Sequence, residues 1–160
     1  MFIDYEIFRM RADTLLGRIA ALCRAAGRDP QEVTLLPVTK THPAAAVDYA
    51  ARYGLAAVGE NRVQEAVEKR AQTTALVRWE LIGHLQSNKA KLAATHLGRI
   101  QSVDSEKLLT VLDRAAGELG RKLPVLLQVN AGHDPAKSGA APADAPRLLD
   151  CALARPHLQV

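Results

Sequence analysis

Polar side chains follow each short apolar run of this sequence, and several are of types that can do chemistry. In a parallel sheet, function collects at the carboxyl ends of the strands, because the loops converge there and the following helices aim their amino termini inward. The candidates that this rule selects are Lys40, Glu60, Asn61, His84, Asp104 and Asn130. Lys40 has the most distinctive chemistry of the set, since a lysine amine can form a Schiff base with a carbonyl compound.

Lys40 ends the apolar run that begins at Leu35, so we expect its ammonium at the mouth of the sheet, against an apolar wall. Partial burial there would disfavour the charged form and free the amine to act as a nucleophile. A solvated lysine that merely follows a strand explains the same pattern. Pro37 is unusual within the run, because proline cannot donate to a central ladder; it predicts a bulge or a position whose amide has no partner.

Asn61 and the segment that follows the next strand each have two interpretations. Asn61 stands three positions before Gln64, which is the spacing of a capping box, so it predicts either a helix cap or a binding residue. The polar, basic segment from Gly83 to Lys91 predicts either a solvated loop with a cap or a site for an anion or a partner. The five histidines share no metal-ligand spacing, so no metal site is predicted.

The elements that must position these residues can be read from apolar spacing. A long amphipathic helix is predicted from Ile3 to Ala26, with Gly27 as its stop. The strands predicted after it are Val33–Val38, Leu55–Val58, Trp79–Ile82, Ile100–Val103, Val125–Val129 and a sixth that begins at Leu158. The helices predicted between them are Pro43–Gly54, Arg62–Ala71, Asn88–Leu97, Glu106–Leu119 and Ala143–Ala154.

Repeated strand–helix units with apolar strands predict an α/β fold, with a parallel sheet covered by helices. The polar residues that follow the first five strands, Lys40, Asn61, Gly83, Asp104 and Asn130, are separated by 21, 22, 21 and 26 residues. Such even spacing favours a (β/α) barrel of the TIM type, which needs more than about 200 residues. We therefore expect residues 1–160 to form a single domain of five to six units, truncated in its sixth strand; an open sheet is the alternative.

Composition limits the partners of the chain. Its 21 basic and 17 acidic residues are interspersed, and only six residues are aromatic, so nucleic-acid binding is not predicted. No apolar run is long enough to span a membrane, and the amino terminus carries acids where a signal peptide needs bases, so a cytoplasmic protein is expected. Cys23 and Cys151 lie far apart in apolar helical contexts and predict two buried thiols.

Four ordered motifs together resemble one family. Val38–Pro43 resembles its lysine motif, Val58–Glu65 its second-strand motif, Ile82–Lys89 its third-strand motif, and Lys137–Gly139 the loop after its fifth strand. On these motifs the chain resembles the pyridoxal phosphate homeostasis proteins, the alanine-racemase-like family co-transcribed with proline synthetase. The resemblance covers nearly the whole chain.

The resemblance implies a barrel like the amino-terminal domain of alanine racemase, of fold-type III, which binds pyridoxal 5'-phosphate (PLP). Lys40 would hold PLP as a covalent aldimine, Asn61 would lie near the ring, and Ile82 and Gly83 would line the same mouth. Family members bind PLP without established turnover and act in vitamin B6 and amino-acid or keto-acid homeostasis. PLP-dependent enzymes are then the expected partners, and a monomer or weak homodimer the expected state.

The chain departs from the family pattern at its carboxyl end. Family members continue through further strands, whose loops clasp the phosphate and whose arginine meets the pyridine nitrogen, so weak or absent PLP binding is expected here. Two other functions stay open. One is a racemase-like PLP enzyme, which would need acid–base groups on both faces of the substrate carbon. The other is a truncated scaffold that binds no cofactor and pairs through its open strand edges.

Overall fold

A computed structural model describes residues 3–160 of the chain. An amino-terminal helix is followed by five further α-helices that alternate with five β-strands. The helices are α1 (Tyr5–Ala25), α2 (Ala45–Tyr53), α3 (Val63–Arg70), α4 (Ala90–His96), α5 (Glu106–Glu118) and α6 (Ala145–Leu153). The strands are β1 (Ala57–Glu60), β2 (Arg78–Leu81), β3 (Arg99–Val103), β4 (Leu123–Leu127) and β5 (Leu158–Gln159). Short 3₁₀ turns lie at Pro30–Glu32, Ser87–Lys89 and Pro142–Asp144.

The five strands form one parallel sheet in the order β1-β2-β3-β4-β5, so each strand lies beside its neighbour in sequence. Ala57 is level with Arg78, and Leu81 is level with Ile100. A helix lies in each crossover between neighbouring strands, which is the usual connection of parallel strands. This architecture is part of a TIM-type barrel and confirms the predicted α/β class.

The first predicted strand, Val33–Val38, is reduced to a single bridge between Val38 and Gly59. The Gly59 amide donates to the Pro37 carbonyl at 2.8 Å, and the Thr39 amide donates to the Gly59 carbonyl at 3.0 Å. Pro37 has no N–H and offers the ladder only its carbonyl. The segment therefore lies beside β1 in the position of a sixth strand of the partial barrel, although it is not a regular strand.

The long amino-terminal helix is confirmed with slightly shorter bounds. Asp4 caps α1, since its Oδ1 accepts a hydrogen bond from the Ile7 amide at 2.9 Å. Tyr5 and Phe8 of α1 pack against Tyr49 of α2, with ring centroids 5.4 and 5.9 Å apart. This aromatic cluster attaches an otherwise largely exposed helix to the barrel wall.

The hydrophobic core lies between the sheet and its helices. Trp79 and Leu81 of β2 and Leu109 and Leu112 of α5 are almost completely buried within it. The opposite face of the sheet, which would line a barrel, is partly open to solvent. Leu126 is 44% exposed on its strand. The large apolar side chains that stabilise the sheet by burial lie mainly on its helical side.

Three further predictions can be compared with residues 3–160. Cys23 is buried, whereas Cys151 is only half-buried, so the prediction of two buried thiols was wrong for the second. Within these residues no helix is long and apolar enough to cross a membrane. The described part of the chain also contains no cluster of three or more potential metal ligands.

Candidate functional site at the carboxyl ends of the strands

Asn61, Ile82 and Gly83 lie together at the carboxyl ends of β1 and β2. β1 ends at Glu60 and β2 at Leu81, so Asn61 and Ile82 are the first residues beyond their strands. The Ile82 amide donates to the Glu60 carbonyl at 2.9 Å, which extends the parallel ladder by one bond. These residues therefore share one edge of the sheet, where a barrel forms its binding site.

Gly83 has no space for a side chain. A β-carbon at this position would lie 2.3 Å from the Asn61 carbonyl oxygen and 2.8 Å from the Asn61 Cα. The Gly83 carbonyl also accepts a hydrogen bond from Ser102 Oγ at 2.6 Å. The loop after β2 is therefore held tightly between the loop after β1 and strand β3, and only glycine allows that approach.

Lys40 lies at the same edge of the sheet, at the end of the segment that runs beside β1. The bridge between Val38 and Gly59 places it level with the end of β1, two residues beyond the paired position. The residue is exposed, and within residues 3–160 its ammonium makes no ion pair or hydrogen bond. The expected partial burial against an apolar wall is therefore not present in this chain. The amine is instead open to reaction from the solvent side.

The backbone turns sharply directly after Lys40. Thr41 has φ 63°, in the left-handed region, which a β-branched residue rarely adopts. Its amide donates to Glu65 Oε1 at 2.5 Å, and its hydroxyl donates to the Lys40 carbonyl at 2.6 Å. These contacts support a conformation that the threonine would not adopt by itself.

A buried charged cluster lies beneath this turn. Lys69 of α3 donates from Nζ to Glu60 Oε1 at 2.8 Å, to Glu65 Oε1 at 2.7 Å and to the Thr39 carbonyl at 2.6 Å. The Thr39 hydroxyl donates to the same Glu60 oxygen at 2.6 Å. The hydrogen bond from Lys69 lowers the pKa of the Glu65 carboxyl, and the hydrogen bond from the Thr41 amide adds to this effect.

Sequence reasoning selected Glu60 in this cluster and missed Lys69, Glu65 and Thr39. Glu65 and Lys69 stand four positions apart on α3, the spacing of a helical ion pair, which is the one signal that pointed to a pair. That signal is common on exposed helices, and burial distinguishes this case: the Lys69 side chain is only 8% exposed. Burial of that kind is not visible in the spacing.

The capping interpretation of Asn61 was wrong. Arg62 is the N-cap of α3, and no side chain accepts a hydrogen bond there. Asn61 instead lines an open cavity of about 290 Å³ with Arg62, Gln64, His84 and Lys89. Asn61 therefore has no capping role that would account for its position at the mouth.

The remaining candidates organise neighbouring loops. His84 Nδ1 lies 3.2 Å from Asp104 Oδ2, so these two residues join the loops after β2 and β3. Asn130 exchanges hydrogen bonds with the backbone of Asp134: its Nδ2 donates to the carbonyl at 2.8 Å, and its Oδ1 accepts from the amide at 3.1 Å. Gln128 Nε2 donates to the Ser138 carbonyl at 2.7 Å. The 130–140 loop is thereby folded back against the end of β4.

Comparisons with known proteins identify the family of this chain. The alanine racemase N-terminal domain family matches residues 12–160. The "Pyridoxal phosphate homeostasis protein" of Pseudomonas aeruginosa is 42% identical over 145 residues, which are 90% of this chain and 63% of that protein. The protein of the same name from Escherichia coli K12 is 37% identical over 148 residues, with 89% and 63% coverage.

The chain belongs to the pyridoxal phosphate homeostasis protein family. It spans about 63% of the length of these two curated relatives. Their name describes a homeostasis protein, not an enzyme. The resemblance drawn from the four motifs is confirmed.

Solved structures agree with this family. PipY of Synechococcus elongatus, "with PLP bound", superposes with a TM-score of 0.75 at 42% identity, over 89% of this chain and 67% of PipY. A protein from Bifidobacterium adolescentis superposes with a TM-score of 0.90 at 31% identity, over 99% and 70% of the two chains. An alanine racemase from Clostridium difficile, at 12% identity and a TM-score of 0.67, shares the fold.

Proposed function

We propose that this chain binds PLP and takes part in PLP homeostasis, with Lys40 as the residue that holds the cofactor as a Schiff base. The observation that carries the proposal is the place of an exposed lysine amine, without a partner among residues 3–160, at the carboxyl edge of the sheet that also holds Asn61, Ile82 and Gly83. A relative at 42% identity is described with PLP bound, which supports the same ligand here.

The residues at the mouth fit the aldehyde end of PLP. Condensation requires a neutral primary amine that the aldehyde carbon can reach: a C=N bond forms between Nζ and that carbon, and one water molecule leaves. Lys40 offers the amine from an exposed position. Ile82 provides an apolar side chain, and Asn61 provides an amide with both donors and an acceptor near the ring. PLP supplies a reactive aldehyde and an electron-withdrawing ring when bound.

Binding without turnover follows from what surrounds the lysine. A racemase needs acid–base groups on both faces of the substrate carbon. Two charged groups beside the Lys40 segment, Glu60 and Lys69, are buried and bonded to each other. We therefore propose a carrier or buffer of the cofactor, which exchanges PLP with PLP-dependent enzymes and affects amino-acid and keto-acid balance.

Two further expectations belong to this proposal. The protein acts in the cytoplasm, where free PLP and its client enzymes are present. It exists as a monomer or a weak homodimer, because the open face of the sheet carries partly exposed apolar side chains such as Val38 and Leu126, at 43% and 44% exposure. Size-exclusion chromatography with light scattering over a range of concentrations measures that state.

The test is an absorbance titration of the purified protein with PLP, followed by borohydride reduction and peptide mapping. We expect an absorbance band of the Schiff base and a reduced adduct on Lys40. Lys40→Ala should abolish both. Lys122→Ala is the matched control, since Lys122 is also exposed but precedes β4, at the opposite end of the strands. An adduct spread over several lysines, or equal in the Lys40→Ala protein, would contradict the proposal.

A further inference from the structure

Lys69 is buried although it carries a charge. Its side chain is 8% exposed, and the three protons of the ammonium point to three oxygens, of Thr39, Glu60 and Glu65, at 2.6–2.8 Å. Lysine is rarely buried to this extent unless it is paired. All three donors are satisfied, so the ammonium holds its partners in one arrangement.

The cluster holds the chain on both sides of Lys40. Before Lys40, the Thr39 carbonyl accepts from Lys69, and the Thr39 hydroxyl donates to Glu60. After Lys40, the Thr41 amide donates to Glu65. Lys40 itself takes no part in these side-chain contacts, so its own side chain stays free while its neighbours are fixed.

The fixed turn has a conformational cost. Thr41 adopts φ 63°, and a non-glycine residue in this region persists only where its surroundings determine the conformation. Glu65 fixes this conformation by accepting a hydrogen bond from the Thr41 amide. Lys69 Nζ in turn lies 2.7 Å from the Glu65 carboxylate and holds it in place. The direction in which the chain leaves Lys40 therefore depends on a side chain of α3.

Stability alone does not explain a buried charged cluster. Burying charged groups costs desolvation free energy that apolar side chains do not lose. Apolar residues of the same volume therefore often stabilise a protein at least as well as a buried ion pair. The Glu60 Oε2 atom is buried without a hydrogen-bond partner, which adds to that cost. The cluster has a high desolvation cost, and it contacts both neighbours of Lys40, Thr39 and Thr41. These two facts together point to a role in placing Lys40.

We propose that Lys69, Glu60 and Glu65 are positioning residues, which fix the Thr39–Thr41 backbone and thereby set the position of the Lys40 amine for condensation with the PLP aldehyde. This inference rests on the proposed function. The three residues bond to Thr39 and Thr41 and not to the Lys40 amine, so they act through the chain on either side of Lys40. A displaced reacting group can slow a reaction by roughly 100-fold for a shift of about 1 Å.

The experiment measures the rate at which excess PLP forms the borohydride-fixed adduct on Lys40, over a range of pH. Glu65→Leu removes the acceptor for the Thr41 amide, and we expect at least about a tenfold slower rate at each pH. Glu65→Gln keeps an oxygen in that place and should restore most of the rate. Glu68→Leu is the matched control, because it makes the same chemical change at an exposed position of the same helix.

Lys69→Met removes the centre of the cluster but leaves Glu60 unpaired, so this variant risks unfolding. The double variant Lys69→Met/Glu60→Gln leaves no unpaired charge at position 60. It should form the PLP adduct on Lys40 as slowly as Glu65→Leu does. Circular dichroism confirms that each protein is folded before its rate is compared. Amide hydrogen exchange at Thr41 should be slow in the wild-type protein and fast in Glu65→Leu.

The outcomes separate the two proposals. A wild-type protein that forms no adduct on Lys40 would refute the proposed function, and the positioning role with it. A wild-type protein that does form the adduct, together with a folded Glu65→Leu protein that forms it at the wild-type rate, would overturn the positioning role alone. Slower capture in Glu65→Leu and recovery in Glu65→Gln would establish it.

Discussion

Gly83 and Asn61 are in direct backbone contact across the carboxyl ends of β1 and β2. A β-carbon on residue 83 would lie 2.3 Å from the Asn61 carbonyl oxygen, closer than any van der Waals contact permits. The hydrogen bond from Ser102 to the Gly83 carbonyl prevents the loop from moving away freely. The mouth of the proposed PLP site is therefore packed backbone against backbone.

Gly83→Ala should disturb both the fold and the mouth. The loop must shift to admit the methyl group, and overpacking of this kind costs about 1–3 kcal/mol of unfolding free energy. Urea denaturation measures that cost, and PLP titration measures the change at the mouth. Gly132→Ala is the matched control, because a β-carbon at position 132 would meet nothing within 4 Å. Equal stability of the two variants would contradict the contact.

Stability should fall in acid as Glu65 becomes protonated. The pKa of Glu65 in the folded protein lies below its ordinary value of 4.5, because Lys69 and the Thr41 amide bond to the carboxylate. A carboxyl with a lowered folded pKa stabilises the protein fully above its unfolded pKa and loses that contribution as the pH falls through the folded pKa. We expect the loss to begin near pH 4.5 and to continue below it.

Urea unfolding at a series of pH values measures this effect. Glu65→Gln should flatten the dependence of unfolding free energy on pH below about 4.5, because glutamine does not titrate. Glu68→Gln is the matched control, since Glu68 is exposed on the same helix. Identical acid slopes for the Glu65→Gln and wild-type proteins would show that Glu65 makes no such contribution.

Lys69→Met should destabilise the protein strongly. Removing one partner of a buried ion pair leaves the other charge uncompensated, which costs about 3–5 kcal/mol. Glu60 is fully buried and would be that charge. The double variant Lys69→Met/Glu60→Gln should recover part of the loss, and a double-mutant cycle by urea denaturation gives the coupling between the two residues. Additive losses would contradict the pairing.

Leu81→Ala tests the side of the sheet that faces the helices. Leu81 is completely buried at the end of β2, so its truncation should cost about 2–5 kcal/mol. Leu76→Ala makes the same chemical change where the side chain is 99% exposed and should leave the unfolding free energy nearly unchanged. Thermal or urea denaturation of both variants checks the difference. Similar losses in the two would contradict the assignment of the core.

The regular part of the fold was predictable from apolar spacing. The end of α2 is an example: the predicted helix closed at Gly54, which adopts φ 93° directly after Tyr53. The strand before Lys40 was less predictable, since an apolar run looks the same in a regular strand and in a segment with a single bridge. Pro37 was the local signal of that difference.

The candidate site was predictable where it depends on strand ends and not where it depends on burial. Asn61 follows a predicted strand, and it lies at the carboxyl edge of the sheet, as the strand-end rule expects. Ile82 and Gly83 were implied by the family resemblance and lie at the same edge, and the binding roles of all three stay predictions. The exposure of Lys40 could not be read from its neighbours, because it depends on how much of the barrel surrounds it. Lys69 was missed because its spacing from Glu65 is ordinary on a helix surface.

The order of the strands affects how the chain can fold during synthesis. Every strand pairs with the next one in sequence, and partners such as Ala57 and Arg78 are separated by one helical connection. Closing each such loop costs less entropy than a pairing across the whole chain would, and no early strand must wait for a distant one. The sheet can therefore grow one unit at a time as the chain leaves the ribosome, and the bridge at Val38 can form as soon as β1 has emerged.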